Sequence, residues 1–162
     1  MCRAFQGRRG WFTSGRKGGG SRAGAGGPNE LWSFGDEAYR ILREQLSLRE
    51  RLRPYILAGM QVADTSGLPL MRPLFVDYSA DPVAWEVEDA YLFGPDLLVA
   101  PVLEPGARGR RVYLPSGTTW SDVWAGRVHQ GGQWVSADAP LERIPVFMRG
   151  EADLYLRDLT GV

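Results

Sequence analysis

Carboxylates are the groups in this chain best placed to do chemistry. The 162 residues hold a single cysteine, Cys2, and a single histidine, His129. That excludes an intramolecular disulfide framework and a Cys/His zinc cluster, and no metal or other cofactor is required. Asp77, Asp81, Glu86, Glu88 and Asp89 stand close together in sequence, and a carboxyl group can serve as nucleophile or as general acid/base. Asp77 directly follows the apolar run 68–76, so it would stand at the C-terminal end of a strand formed there. Its other reading is a loop carboxylate that caps a turn or pairs with Arg72. Asp81, Glu86, Glu88 and Asp89 read as capping or solvated residues of a short acidic helix. Arg72 lies inside the apolar run, where an unpaired guanidinium is costly, so it must have a partner. An ion pair with Asp77 or Asp81 fits, as does a role in orienting carboxylates from other strands. His129, in a turn-rich stretch before Gly131 and Gly132, reads as a surface residue.

Six tryptophans widen the choice, because flat aromatic faces suit pyranose rings. Trp120 and Trp124 are an even number of residues apart and share a face of any continuous strand, which favours core packing. Trp134 follows the Gly-Gly turn and is the better candidate for exposure.

The elements that must position these groups follow from hydrophobic period and turn chemistry. Asp36 is expected as a helix N-cap with Glu37 in the first turn. Apolar residues then recur at Ala38, Ile41, Leu42, Leu46, Leu48, Leu52, Tyr55 and Ile56, the period of a helix packed on one side. Pro54 predicts a kink or break, and Gly67 ends the pattern. The nearly continuous apolar run 68–76 reads as a strand buried on both faces. Pro69 and Pro73 argue against a central place in a ladder. Asp81-Pro82 predicts a turn into a helix over 83–90. Gly94-Pro95 marks an architectural boundary, after which short segments at 97–103, 109–114, 120–124, 133–136, 144–149 and 153–156 predict an antiparallel sandwich.

The N-terminal stretch is different in kind. Residues 1–29 contain nine glycines and six basic residues with no acidic one, leaving the rest of the chain thirteen basic against nineteen acidic groups. Its few large apolar residues cannot offset the entropy of ordering, so 1–28 is expected to be disordered. Arg and Gly with interspersed aromatics also permit a nucleic-acid reading, which is not favoured. Met1 to Gly27 offers no signal-peptide core, and no apolar run approaches the length that spans a bilayer. No membrane or nucleic-acid partner is expected, and the default location is cytoplasmic.

The wording of several segments is more specific than their pattern. The run Phe93-Gly94-Pro95-Asp96-Leu97-Leu98-Val99-Ala100-Pro101-Val102 is followed by Val112-Tyr113-Leu114-Pro115-Ser116-Gly117, Trp120-Ser121-Asp122, Gly131-Gly132 and Ile144-Pro145-Val146-Phe147. Together with Leu52-Arg53-Pro54-Tyr55, these resemble the C-terminal part of glycoside hydrolase family 31, the α-glucosidase and α-xylosidase family, over about residues 29–157. The resemblance implies an α+β piece: the last helix-strand-helix of a (β/α)8 barrel over 29–93, then a proximal C-terminal β-sandwich over 94–162. It also implies a parent enzyme that hydrolyses terminal α-glycosidic bonds with retention, acting on an α-glucoside or α-xyloside.

The chain departs from the family where an Arg-x-His-Gly motif is expected, since Arg22-Ala23-Gly24 has no histidine. An aberrant coding segment over 1–28 is one reading of that departure. A retaining mechanism needs two carboxyl groups about 5–5.5 Å apart. The family's nucleophile and acid/base motifs do not occur here, so no catalytic, substrate-binding or metal residue is carried over. The resulting expectation is a distal part, inactive alone, whose partner would be the remainder of the barrel. The alternative is a free-standing carbohydrate-binding or interaction module.

Overall fold

The computed structural model describes residues 30–150, so the expectations for 1–28 and for a strand at 153–156 lie outside the described residues. The fold divides into two units between Gln45 and Leu46. In the first, a 3-10 turn at Leu31–Phe34 leads to Gly35 and the start of helix α1, Asp36–Arg51. Tyr39 N–H donates to the Gly35 carbonyl at 2.8 Å, so Gly35 caps the helix and Asp36 stands inside its first turn beside Glu37.

Near Pro54 the helix breaks as its missing N–H requires. α1 ends at Arg51, and α2 runs Arg53–Ser66 to a left-handed Gly67. The next elements correct the expected strand and helix. Only Met71–Arg72 (β1) is extended, and Pro73, with no N–H to continue a ladder, caps a single helical turn at Leu74–Asp77 (α3). The acidic helix expected over 83–90 is one 3-10 turn, Pro82–Trp85, with Asp81 as its N-cap.

Among the described residues eight strands form two antiparallel sheets. Besides β1 they are β2 Tyr91–Phe93, β3 Leu97–Val99, β4 Gly109–Leu114, β5 Thr119–Asp122, β6 Val128–Gln130, β7 Gln133–Asp138 and β8 Val146–Arg149. The larger sheet has the order β1-β2-β3-β8-β5-β6, and β4 pairs with β7 alone. β1 therefore pairs antiparallel with β2, and the sheet continues through the Gly94–Asp96 turn into β3. β6 is a correction: the stretch carrying His129 is a strand paired with β5, with His129 opposite Trp120.

Successive side chains of a strand point to opposite faces, and β3 and β8 are buried on both. Leu98 and Phe147 enter one core with Leu92, Val112, Leu114 and Trp120, whereas Leu97 and Met148 enter a second with Val123. This two-sided burial explains why the sequence from Leu97 is unbroken apolar rather than alternating. The first core contains Val112, Tyr113, Leu114 and Ala137 from β4 and β7, so it lies between the two sheets as in a sandwich.

Candidate functional site

The most organised charge cluster is built where β1 ends and α3 begins. Arg72 is 5% exposed and meets Asp77 in a fork: Nε donates to Oδ1 and Nη2 to Oδ2, each at 2.7 Å. Its Nη1 donates to the Pro69 carbonyl at 3.3 Å. Proline at 73 makes this possible, because the turn it starts brings Asp77 back beside the strand it has just left. From β8, Arg149 Nη2 reaches Asp77 Oδ2 at 3.2 Å, and its guanidinium lies 5.1 Å above the Tyr78 ring. Among the described residues, Tyr78 Oη and Arg149 Nε are buried without a hydrogen-bond partner.

The Arg72 fork, aided by Arg149, holds the Asp77 carboxyl below its ordinary range despite partial burial. The group is a fixed anion between two cations. A general acid needs the opposite environment, one that raises its pKa toward neutrality. Asp77 therefore has the partner that Arg72 demanded, and no second carboxylate approaches it among the described contacts.

A second buried node organises the turn between the sheets. Asp81, 5% exposed, accepts from Val83 N–H at 3.1 Å, from Ser116 N–H at 2.8 Å and from the Tyr113 hydroxyl at 2.8 and 2.9 Å. Burial is the largest influence on this carboxyl and pushes its pKa up, but the donors together outweigh it and leave the pKa lowered. Burial, followed by the Asp81 hydrogen bond, pushes the Tyr113 hydroxyl up to about 12. Asp81 is thus a cap, as its place before Pro82 implied, but a buried one. Glu86 and Glu88 are exposed, and Asp89 pairs with Arg110 at 2.5 Å.

The aromatic expectations divide. Trp120 is fully buried, its Nε1 donating to the Pro115 carbonyl at 3.0 Å. β5 stops at Asp122, so Trp124 is not on the same strand face; it packs on the second core and donates to the Ile144 carbonyl at 2.7 Å. Trp134 is 44% exposed. His129 meets Phe147 edge-on at 6.1 Å, and among the described residues no carboxylate, Ser or Cys bonds to it.

Sequence reasoning missed Tyr55, whose hydroxyl joins α2 to the large sheet by donating to the Phe93 carbonyl at 3.0 Å and accepting from Asp96 N–H at 3.1 Å. In the sequence Tyr55 stands as an apolar position of the helical stripe and as the last residue of the Leu52–Tyr55 family segment, neither of which specifies a hydrogen-bonding hydroxyl.

The glycosyl hydrolase family 31 C-terminal domain matches residues 67–152, more than half of the chain. The chain belongs to glycoside hydrolase family 31. Among curated proteins it is 35% identical over 130 residues to alpha-glucosidase 2 of Bacillus thermoamyloliquefaciens, covering 80% of this chain and 16% of that protein. It is 35% identical over 129 residues to alpha-xylosidase of Saccharolobus solfataricus, covering 80% and 18%. A family 31 alpha-xylosidase from a soil metagenome, solved with xylose, superposes with a TM-score of 0.77 at 52% identity, covering 83% of this chain and 20% of that one. The chain therefore spans about a fifth or less of the length of these relatives.

Proposed function

We propose that this chain is the supporting C-terminal part of a family 31 glycosidase whose complete form hydrolyses terminal α-glycosidic bonds with retention, and that it has no hydrolytic activity alone. The carrying observation is the Asp77 site. Asp77, expected at a strand end, closes α3 instead and is bound by two arginines, and among the described residues no second carboxylate contacts it. In this reading residues 29–93 belong with a catalytic barrel whose remainder is their partner, residues 94–162 form the proximal sandwich, and β1 and β2 join the two by pairing into the sandwich sheet. Neither metal nor cofactor enters. No helix among the described residues is long and apolar enough to cross a membrane. A cytoplasmic setting belongs to the same proposal.

The test is to incubate the purified chain with aryl α-glucoside and aryl α-xyloside beside an Asp77→Asn variant. No turnover in either is expected, because a retaining mechanism needs a nucleophile and an acid/base about 5–5.5 Å apart. Turnover that disappears in the variant would refute the reading, since it would put catalysis in the group described here as an ion-pair partner.

A further inference from the structure

We infer that α2 is a detachable strap over the second core, latched by the Tyr55 hydroxyl, which opens as a unit while both sheets stay folded. The helix lies against the sheets along a narrow stripe. Its half-buried residues are Tyr55, Ile56, Gly59 and Ala63, which recur at the spacing of one helix side. Two of the four are a glycine and an alanine, which allow a close approach but remove little apolar surface from water. Gly59 abuts Leu70 so closely that a Cβ at this position would overlap the leucine side chain. Among the described residues the first core takes no side chain from α2, and the second takes only Tyr55.

Polar attachment is as sparse. Among the described residues, the side-chain hydrogen bonds from α2 to the sheets are the two made by Tyr55, to the Phe93 carbonyl at 3.0 Å and from Asp96 N–H at 3.1 Å. The ring fills the space that a side chain at Gly94 would need and meets Phe93 with centroids 6.2 Å apart. The helix also has a joint at each end. Its ladder breaks between Arg51 and Arg53, and Gly67, at φ 74, turns the chain out of the helix toward β1. A segment opens locally when few apolar contacts hold it and its backbone bonds face solvent. Two hydrogen bonds and a thin stripe hold α2, whereas opening β3 or β8 would expose strands buried on both faces.

The first core lies apart from this event, being built from Leu92, Leu98, Val112, Trp120 and Phe147 among others. An open strap leaves both sheets paired and uncovers one side of the second core, formed by Leu97, Val123 and Met148. The latch therefore sets how much apolar surface the folded chain shows to water. Asp96 N–H reports on it directly, because it lies in the turn between β2 and β3 while its acceptor belongs to α2. It loses that acceptor when the strap opens, with the neighbouring strands still in place. The inference does not depend on the proposed supporting role.

The experiment is amide hydrogen exchange of the complete chain, followed residue by residue at several low urea concentrations. The α2 and Asp96 amides should share one opening that barely responds to urea, because little surface is exposed, while the β3, β4, β7 and β8 amides show the steeper dependence of global unfolding. Two variants separate the events. Tyr55→Phe weakens the latch and should speed exchange of the α2 amides about tenfold. Val112→Ala removes first-core packing from the closed and the open chain alike, so it should speed the sheet amides about tenfold or more and leave α2 and Asp96 unchanged. If Val112→Ala does not fold, the urea dependence of the unsubstituted chain decides alone. A common urea dependence for α2 and the sheets, equal acceleration of both by Val112→Ala, no acceleration of α2 by Tyr55→Phe, α2 amides as fast as those of an unfolded chain, or an Asp96 amide that follows the sheets would overturn the proposal.

Discussion

Tyr113 ties β4 to the turn at Asp81, and burial together with the hydrogen bond to Asp81 sets its energetics. Its hydroxyl donates to Asp81, and its pKa is pushed up to about 12 from 10.0. The folded state therefore holds its proton in a window where the unfolded chain has lost it. Stability from this group is complete below pH 10 and declines as pH rises from 10.0 to about 12. Tyr113→Phe should lower stability at neutral pH by about 1–3 kcal/mol, because a buried carboxylate loses a donor. It should also flatten the decline between pH 10 and 12. Urea unfolding across that range measures both, and an unchanged alkaline slope would sink the argument. Asp77 and Asp81 act oppositely: their pKa values are lowered on folding, so their contribution is present above the ordinary carboxylate range and is lost as pH falls through their folded values. At this scale the sequence was partly legible. A guanidinium in an apolar run announces that it needs a partner, and Asp77 five residues on was within reach. Nothing in the order of residues placed Arg149 or Tyr113, because those contacts depend on which strands become neighbours.

Strand existence was readable from composition, whereas strand length depended on single residues that stop ladders. The segment 109–114 emerges with its expected bounds, since an apolar core face and flanking turn residues agree. The run 68–76 does not, because Pro73 has no donor and converts a buried extended segment into one residue pair and a helical turn. β6 went unseen because Val128, His129 and Gln130 have little apolar surface and are held by pairing with β5. The turn between β2 and β3 shows how an element fixes one residue type. Gly94 has φ 67 and its α-hydrogen faces the Tyr55 ring, so an added Cβ would overlap the hydroxyl and the ring edge. Gly94→Ala should cost more than about 2 kcal/mol, of which about 1 kcal/mol is the left-handed backbone. Repeated in a Tyr55→Ala background, the same substitution should cost only the backbone part, because the steric partner has gone. Equal costs in both backgrounds, measured by urea unfolding, would show that α2 does not press on this turn.

At the scale of the whole molecule, the described chain has a dense sheet core and a helix, α2, that meets it chiefly through the partly buried Tyr55. No residue of α2 is buried, and Leu57 and Met60, three apart and so on one side of the helix, are 56% and 54% exposed. Met71 and Val76, on β1 and α3, add 43% and 41% exposure. The apolar period in the sequence predicted a helix packed on one side; the helices are present, but none of their residues is buried among the described residues, and a period cannot say whether the cover lies within the same chain. Uncovered apolar surface in water associates, because removing it from solvent yields roughly 25 cal/mol per Å². The chain alone should therefore self-associate through this face as its concentration rises. Light scattering after gel filtration should report masses above the 18.0 kDa of the monomer, and Leu57→Glu combined with Met60→Glu should return the mass to the monomer value while leaving the sheet core folded, since neither side chain contributes to it. A monomer mass at every concentration, or association undiminished in the double variant, would mean that α2 is covered in solution or that another surface governs the contact.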